Sequence, residues 1–342
     1  MQTHNSAATM LSSTRRSFLK HAGIIPIVAA TGVSFVSANA DVGPIKRIGG
    51  SYLRTSINAF SFLELLNANA KDSNQGLDLF GVCDFCAKHN CDAVDLTGYF
   101  FPGYPNAPED SYLMKLKRHA FDLGLDISGT GVRNDFTTAD KGVREAGVQR
   151  IKTWIEVAAK LGAPVIRAFA DSQPPFKDWH QASGNADRSS VEEWVADSLR
   201  ECAEYGEKFG VIVAVQNHGD FVTSGDEHVR LLKRVNHQWC AALVDTGKYL
   251  TAAPYDDIAM VAPYAVNWQI KETLDSTLDS PRVDMKKLLT IIRASGYRGY
   301  LPIETLSMKR KDYDPFIEVP KVLRELREAM ALTATIQPET SK

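Results

Sequence analysis

Residues 209–219 read FGVIVAVQNHG and run from the end of a predicted helix through an apolar strand to a polar strand end. Gly210 follows an amphipathic segment, a position where glycine is typical of a helix C-cap. The run 211–216 is short, apolar and rich in valine and isoleucine, as expected of a buried strand. Glycine stands in the same position before three other β-like runs, at Gly124, Gly162 and Gly296. The pattern predicts a fold built from repeated helix–strand units.

Eight β-like runs alternate with longer segments whose apolar residues have helical spacing. The predicted strands are Leu53–Asn58, Asp92–Leu96, Asp126–Gly129, Val165–Phe169, Val211–Gln216, Ala241–Asp245, Ala265–Ile270 and Tyr300–Glu304. Eight strands, each followed by a helix over roughly 290 residues, predict an α/β fold of the single (β/α)8 TIM-barrel type. A doubly wound sheet would normally carry a GxGxxG turn after its first strand, and the sequence has none there.

Residues 1–40 have the pattern of an export signal. The stretch 14–20 reads TRRSFLK, which fits the twin-arginine motif, and the stretch 38–40 reads ANA, a small-x-small cleavage site. The apolar segment between them has about 15 residues, fewer than the roughly 20 that a membrane-spanning helix needs. We therefore expect a cleaved twin-arginine signal peptide, export to the periplasm or elsewhere outside the cytoplasm, and no stable membrane span.

The rest of the chain is predicted to be one domain, because no Pro/Gly-rich linker divides it. We expect a linker at 41–52, the barrel at 53–332 and a flexible C-terminal tail at 333–342. Two non-periodic stretches, 98–110 and 171–189, are expected to be loops over the active face of the barrel. The first is rich in aromatic residues, which either cover a bound sugar ring or pack against the barrel rim.

Charge and cysteine content exclude several classes of protein. The 342 residues include 39 basic and 41 acidic side chains, and the charged residues before position 41 are all basic. The remaining chain is therefore net acidic and offers no broad basic field for nucleic acid. Of the five cysteines, Cys83 and Cys86 form a single CxxC in an apolar helical pattern. That pattern indicates small buried thiols more than a zinc site or a disulfide framework.

Polar residues follow the apolar runs of four successive strands. The strand ends read QNHGD at 216–220, DTGK at 245–248, QIKE at 269–272 and PIET at 302–305. Because the active site of such barrels is built at the carboxyl ends of the strands, we expect these side chains to converge. Unpaired polar groups inside a barrel would be costly, so four such ends together predict a functional site.

These strand ends resemble, in order and spacing, the motifs of the xylose isomerase-like TIM barrels, which include sugar phosphate isomerases and epimerases. Gln216–Gly219 is similar to the family's Glu-Asn-His-Gly, and Asp245–Gly247 to its Asp-Thr/Pro-Gly. Gln269–Glu272 is similar to its His-x-Lys-Asp/Glu, and Glu304 to its closing glutamate. The resemblance covers roughly residues 53–332 and implies a barrel enzyme, but family activities range from isomerases and epimerases to dehydratases and lyases.

The resemblance also implies a divalent metal held at the four strand ends. Its ligands here would be Gln216, Asp245, Gln269 and Glu304, where the family has Glu, Asp, His and Glu. Amide oxygens still ligate hard cations, so magnesium, manganese or calcium is expected before zinc. The two glutamines lower the charge of the ligand set, which predicts weaker binding and leaves a degenerated metal site open. No nicotinamide or flavin cofactor is expected.

Glu304 is the expected general base, because the resemblance places it at the family's catalytic position. The amide of Gln216 cannot transfer protons, so His218 and Lys271 are the further catalytic candidates. His218 is the candidate proton carrier, and Lys271 is the candidate partner of an oxyanion or a carboxylate. Four residues near the strand ends are expected to bind substrate: Arg167, Asn217, Lys248 and Glu272.

Together these features favour an exported enzyme that isomerises or epimerises a sugar or keto-sugar, with a divalent metal and a glutamate base forming an enediolate. A metal-assisted lyase or hydrolase of keto-glycosides stays open, as does a barrel that binds carbohydrate without turnover. An endonuclease IV-type barrel is disfavoured by the shortage of histidines at strand ends and by the acidic charge. The expected partner is a small carbohydrate, and the sequence leaves a homo-oligomer open.

Replacing both Arg15 and Arg16 by lysine should keep the protein in the cytoplasm, because the twin-arginine route recognises the arginine pair. Cell fractionation and immunoblotting measure the location, and N-terminal sequencing of the exported wild type should begin at Asp41. Export of the double variant at the wild-type level would contradict the predicted route.

Overall fold

The strands of the computed structural model all run parallel and curve into a nearly closed barrel. They are β1 (Tyr52–Asn58), β2 (Ala93–Thr97), β3 (Asp126–Gly131), β4 (Val165–Phe169), β5 (Ile212–Gln216), β6 (Cys240–Asp245), β7 (Ala265–Gln269) and β8 (Arg298–Ile303). Hydrogen-bonded neighbours follow the order β7-β6-β5-β4-β3-β2-β1-β8. A single parallel bridge between Ile270 and Ile303 joins the end of β7 to β8.

The structure describes residues 42–277, 279–307 and 310–336, so the predicted signal peptide at 1–40 lies outside the described residues. Within those ranges the α-helices are α1 (Leu63–Lys71), α2 (Leu79–Lys88), α3 (Asp110–Asp122), α4 (Lys141–Leu161), α5 (Trp179–Ala182), α6 (Arg188–Phe209), α7 (Gly225–Val235), α8 (Pro254–Val261), α9 (Met285–Ala294) and α10 (Pro315–Leu332). Short 3-10 helices span Ala59–Phe62, Gly98–Phe100 and Ala262–Tyr264. None of the described helices combines the length and apolarity of a membrane span.

The (β/α)8 barrel predicted from the sequence is confirmed. Each predicted strand is present, with ends that differ from the prediction by at most two residues. Gly162 and Gly210 end α4 and α6 with left-handed φ angles of 84° and 68°, a conformation that strains any residue with a side chain. The glycines predicted to end helices therefore turn the chain directly into β4 and β5.

Side chains of the strands alternate between the barrel interior and the layer beneath the helices. On β5, Val213 and Val215 belong to the main hydrophobic core, whereas Ala214 packs with Val165 and Leu243 in a separate small cluster. Because this alternation has a period of two residues, Gln216 at the end of β5 is on the same side as Ala214. The strand therefore delivers its last side chain to the interior of the barrel mouth.

The two non-periodic stretches are anchored by buried aromatic rings. Phe101 is buried with its ring centroid 5.4 Å from that of Trp154, so part of the 98–110 stretch packs against α4. The 171–189 stretch contains α5, whose Trp179 is buried edge-on against Phe221 at 5.4 Å. The predicted loops therefore hold a fixed conformation along much of their length.

The cysteines are all buried and free, in agreement with the interpretation as small core thiols. Cys83 and Cys86 of the CxxC lie in α2 among the hydrophobic core. Burial raises the pKa of Cys83, with smaller contributions from nearby carboxylates, and raises the pKa of Cys240, each to about 12. These two thiols are therefore protonated and unreactive in the folded protein.

Gly206→Ala should destabilise the barrel by about 1–3 kcal/mol through overpacking. This is the net loss, after the roughly 1 kcal/mol by which alanine is more favourable than glycine inside a helix. Gly206 of α6 lies against the start of β5, and a methyl group there would stand 2.3 Å from the Val211 carbonyl oxygen. Thermal unfolding followed by circular dichroism measures the effect. The matched control is Glu204→Ala, an exposed site in the same helix that should change stability by no more than about 0.5 kcal/mol. An unchanged Tm for Gly206→Ala would contradict the close packing of α6 on β5.

Candidate active site

A polar cavity opens at the carboxyl ends of the barrel strands. It encloses about 530 Å³ of non-atom space, counted with the open solvent at its mouth. The side chains and backbone that line it belong to Asn58, Phe60, Asp95, Thr97, Tyr99, Thr130, Gly131, Arg133, Arg167, Phe169, Gln216, His218, Leu243, Gln269 and Glu304. Aromatic faces and charged groups therefore meet in one cleft, a composition suited to a polar ligand.

Strand alternation decides which strand-end residues reach this cavity. The side chains of Gln216 and His218 line the cavity, whereas Asn217, which lies between them in sequence, is fully buried and is not part of the lining. The Asn217 amide donates to the Asp245 carbonyl oxygen at 2.9 Å and accepts from the Asp245 N–H at 2.8 Å. Asn217 therefore ties the end of β5 to the end of β6. The structure therefore does not bring Asn217, which was predicted to bind substrate, into the cavity.

The same alternation separates Gln269 and Lys271 from Glu272. Gln269 lines the cavity, whereas Glu272 accepts a hydrogen bond from the Leu306 N–H at 3.1 Å and pairs with Arg310 at 3.7 Å. Lys248 is half-buried and also lies outside the cavity lining. The structure therefore does not bring Glu272 or Lys248, both predicted to bind substrate, into the cavity.

Gln216 is the centre of a hydrogen-bond network that joins three strand ends. Its Nε2 donates to Asp245 Oδ2 at 2.8 Å and also to Oε1 of Gln269. On the other side, its Oε1 accepts from Arg167 Nη1 at 3.4 Å. A guanidinium can only donate and a carboxylate can only accept, so these neighbours fix the orientation of the amide. Gln216 therefore presents N–H groups, and not its oxygen, to Asp245.

The Lys271 ammonium lies between the two carboxylates of the strand ends. Its Nζ donates to Oε1 of Glu304 and is 3.5 Å from Oδ2 of Asp245. All three side chains are buried. Burial alone would lower the pKa of Lys271, but the charges of Asp245 and Glu304 outweigh it and raise that pKa above its ordinary value. The lysine is therefore held in its charged form as the shared partner of both carboxylates.

The Arg167 guanidinium, which was predicted to bind substrate, forms one wall of the cavity. It stacks on the Phe169 ring, with 4.0 Å between Cζ and the ring centroid, and its Nη2 donates to the Tyr99 hydroxyl. A planar guanidinium held by a ring, a hydroxyl and the Gln216 amide loses little freedom when it binds a substrate oxygen.

His218 forms a pair with a buried carboxylate at the rim of the cavity. Its Nδ1 is 2.9 Å from Oδ2 of Asp171, and its ring centroid is 4.4 Å from that of Phe169. The imidazole is 37% exposed, whereas the Asp171 side chain is 6% exposed. A carboxylate that holds Nδ1 leaves Nε2 for another partner, which is the arrangement of histidines that carry protons in catalysis.

Asp95 is the second carboxylate in the lining, beside Glu304. It is buried, and its two oxygens accept hydrogen bonds from Asn58 at 3.2 Å and Asn267 at 3.1 Å. Burial raises the pKa of Asp95 to about 6, although the Asn267 hydrogen bond and the Arg167 charge act in the opposite direction. Its titration is therefore expected within the pH range in which folded proteins are commonly studied.

The structure gathers seven of the predicted residues at the cavity or directly against its lining: Arg167, Gln216, His218, Asp245, Gln269, Lys271 and Glu304. Sequence reasoning missed Asp95, Tyr99 and Asp171. Asp95 carried a signal, because a lone acid within the buried run AVDLT requires a partner inside the barrel. Tyr99 and Asp171 lie just beyond the ends of β2 and β4, the same type of position as the residues that were found.

The metal site implied by the resemblance does not fit the side chains as they are arranged. Asp245 and Glu304 both contact Lys271, and Gln216 directs N–H groups towards Asp245. As arranged, the four expected ligands have one another, Lys271 and Arg167 as partners.

A closed parallel barrel with its polar groups at the carboxyl ends of the strands defines the class of TIM-barrel enzymes with a strand-end site. Residues 83–331 match the family model described as xylose isomerase-like TIM barrel. The match covers most of the chain, so this protein belongs to the xylose isomerase-like TIM barrel family. The family predicted from the sequence is thereby confirmed.

Solved structures similar to this chain include sugar epimerases. A D-psicose 3-epimerase determined in the presence of D-fructose has a TM-score of 0.64 at 16% identity, covering 83% of this chain and 99% of that chain. A D-psicose 3-epimerase from Clostridium cellulolyticum H10 with D-tagatose has a TM-score of 0.63 at 15% identity, covering 83% and 99%. A 3-keto-D-glucoside 4-epimerase from E. coli has a TM-score of 0.61 at 14% identity, covering 81% and 99%. At these identities the similarity shows the fold alone.

Part of the wild-type free energy of unfolding should fall as the pH rises, and Asp95→Asn should remove that pH dependence. Because the pKa of Asp95 is higher in the folded state, the native protein binds the extra proton between about pH 4 and pH 6, and the stabilisation is lost as the pH rises through that window. Relative to the variant, the wild-type free energy of unfolding should fall by about 2–3 kcal/mol from about pH 4 to about pH 7. Urea unfolding across this range measures the difference, with the exposed Asp312→Asn as the control. Parallel profiles for wild type and Asp95→Asn would contradict the raised pKa.

Proposed function

We propose that this protein is a sugar or keto-sugar isomerase or epimerase that removes a proton from the carbon next to a carbonyl group. One observation carries the proposal: a single cavity holds the Glu304 carboxylate and the Asp171-held imidazole of His218, together with the Arg167 guanidinium. Glu304 and His218 follow β8 and β5, which are three strands apart in sequence order around the barrel. The sugar epimerases among the similar structures support this choice of substrate class.

Glu304 is the base in the first step. The C–H bond next to the carbonyl breaks, its proton passes to the Glu304 carboxylate, and its electron pair forms the double bond of an enediolate. Lys271 fixes the direction of the Glu304 carboxylate through their ion pair. Arg167 donates to the oxygen on which negative charge develops, a contribution that is strongest in a site already arranged for it.

His218 supplies a proton in the second step of an epimerisation. A protonated imidazole donates to the opposite face of the same carbon, and the buried Asp171 carboxylate stabilises its positive charge before transfer. If Glu304 instead returns its proton to the neighbouring carbon, and the hydroxyl proton passes from one oxygen of the enediolate to the other, the product is the isomer. Proton exchange with water restores both groups. His218 thus supplies the proton transfer that the Gln216 amide cannot.

Incubation of the mature protein with unphosphorylated ketohexoses and 3-keto-glucosides in deuterated water tests this chemistry. NMR should show deuterium at the carbon next to the carbonyl, because the abstracted proton exchanges with solvent. The same spectra would reveal an elimination product, which would favour the lyase alternative. Binding of these sugars without deuterium incorporation would favour the carbohydrate-binding alternative.

Glu304→Gln should lower the rate of deuterium incorporation by about 10²–10⁴-fold, because an amide of equal size cannot accept the proton. The rate is measured by NMR on a substrate that the wild type turns over. Glu204→Gln, at an exposed helix position, is the matched control and should keep the wild-type rate. A Glu304→Gln protein with near-normal exchange would show that another group is the base.

His218→Asn should separate the two steps. Deuterium should still enter on the face served by Glu304, while net epimerisation should fall by about 10²-fold or more. The comparison uses NMR for exchange and chromatography for the epimer. His180→Asn, an exposed histidine on α5, is the control. Equal loss of exchange and epimerisation would instead indicate that His218 takes part in the first step.

We also propose that the protein acts outside the cytoplasm on a sugar without a phosphate group. The twin-arginine pattern of residues 14–20 supports export, and the sequence has no glycine-rich phosphate cradle. The Arg15 and Arg16 double variant tests the location. A parallel incubation with the corresponding sugar phosphates tests the substrate, and faster exchange on the phosphates would contradict it.

A further inference from the structure

The strand-end carboxylates already have a cation as their partner. Nζ of Lys271 contacts Oε1 of Glu304 directly and is 3.5 Å from Oδ2 of Asp245. Lys271 is 3% exposed, Glu304 6% and Asp245 not at all. Charges buried this deeply are stable only when each is paired and hydrogen-bonded. One ammonium therefore meets the electrostatic needs of two carboxylates that the family resemblance would assign to a metal.

The other two expected ligands are oriented against a cation. Gln216 directs its N–H groups to Asp245 Oδ2 and to Gln269 Oε1, because its own oxygen faces Arg167. Turning the amide would bring N–H groups against the guanidinium and an oxygen against the carboxylate, which is unfavourable on both sides. The Gln269 oxygen is engaged by this same amide. The Gln216 oxygen therefore faces Arg167 and not the space between the strand ends, and the Gln269 oxygen already accepts one hydrogen bond.

A divalent ion between Asp245 and Glu304 would have to compete with a cation that is already there. The Lys271 ammonium contacts Glu304 and is 3.5 Å from Oδ2 of Asp245, and all three side chains are buried. An ion that enters beside the ammonium meets its repulsion, and an ion that replaces it leaves a buried lysine without its partners. Either event is costly at low dielectric.

We propose that the Lys271 ammonium takes the place of the divalent cation in this barrel, so that the strand-end site holds its carboxylates without a metal. The inference rests on the proposed function only for its catalytic consequence, which is that a lysine positions Glu304 and that Arg167 faces the developing oxyanion. Lys271 is a positioning residue in this account, because it lies behind Glu304 and not in the cavity lining.

Titration of the chelator-treated mature protein with Mn²⁺ alone tests the proposal without any sugar. Isothermal calorimetry and Mn²⁺ electron paramagnetic resonance should detect no tight equivalent of Mn²⁺ in the wild type. Binding of one equivalent with micromolar affinity that Asp245→Asn abolishes would overturn the proposal. This result is independent of whether the substrate is a sugar, so it separates failure of the inference from failure of the proposed function.

Lys271→Met provides the sharper comparison, because methionine keeps the length of the side chain and removes its charge. The two carboxylates then lack a cation, and the variant should bind Mn²⁺ about 10-fold more tightly than the wild type or better, with a higher Tm when Mn²⁺ is added. Lys271→Arg keeps the charge and should behave like the wild type in both measurements. Weaker Mn²⁺ binding in Lys271→Met than in the wild type would contradict the proposal. If Lys271→Met does not fold, the wild-type titration decides the matter by itself.

Activity after removal of metal ions is a second, independent test of the proposal. On a substrate that shows deuterium exchange, chelator-treated wild type should keep its rate within about 2-fold, because no step depends on a bound ion. A rate that falls about 100-fold and returns with Mn²⁺ would overturn the inference while leaving the proposed isomerase or epimerase activity intact.

Discussion

A closed barrel admits only every second side chain of each strand to its interior, and the arrangement of this site follows from that constraint. At the end of β5 it admits Gln216 and His218 and turns Asn217 to the backbone of β6. At the end of β7 it separates Gln269 from Glu272, which joins the outer contacts around Arg310. Residues that are adjacent in sequence therefore have different roles. Alternate positions line the cavity, and the positions between them make contacts that join neighbouring strands.

The side chains admitted to the barrel mouth must then satisfy one another, because little water reaches them. Gln216 lies between a group that only donates and a group that only accepts, and Asp95 lies between two asparagine amides. Such networks are stable only when every member has a partner, and they leave few alternative arrangements. The site is consequently set by the folded protein itself, and a substrate meets groups that already have their orientation.

The fold could be predicted from the sequence because its signals are local. Apolar runs of strand length, helical spacing between them and glycines such as Gly210 recur in each unit, and none requires knowledge of distant residues. The strand ends of the site were predictable for the same reason. Which neighbour faces inward was not, because inward direction depends on register, and β6 and β7 shift register between Ala242 and Leu243. The partnership of Lys271 with Asp245 and Glu304 joins three separate strand ends, so no stretch of sequence displays it.

The burial of every thiol bears on when the chain can safely meet an oxidant. Oxidation requires a thiolate in contact with the reagent, and the folded barrel keeps its five cysteines inside and raises the pKa of Cys83 and Cys240 by burial. An unfolded chain would expose all five, an odd number that cannot pair completely within one molecule. Folding thus removes all five thiols from contact with solvent, and a route that moves folded proteins across a membrane would deliver the chain with its cysteines already buried.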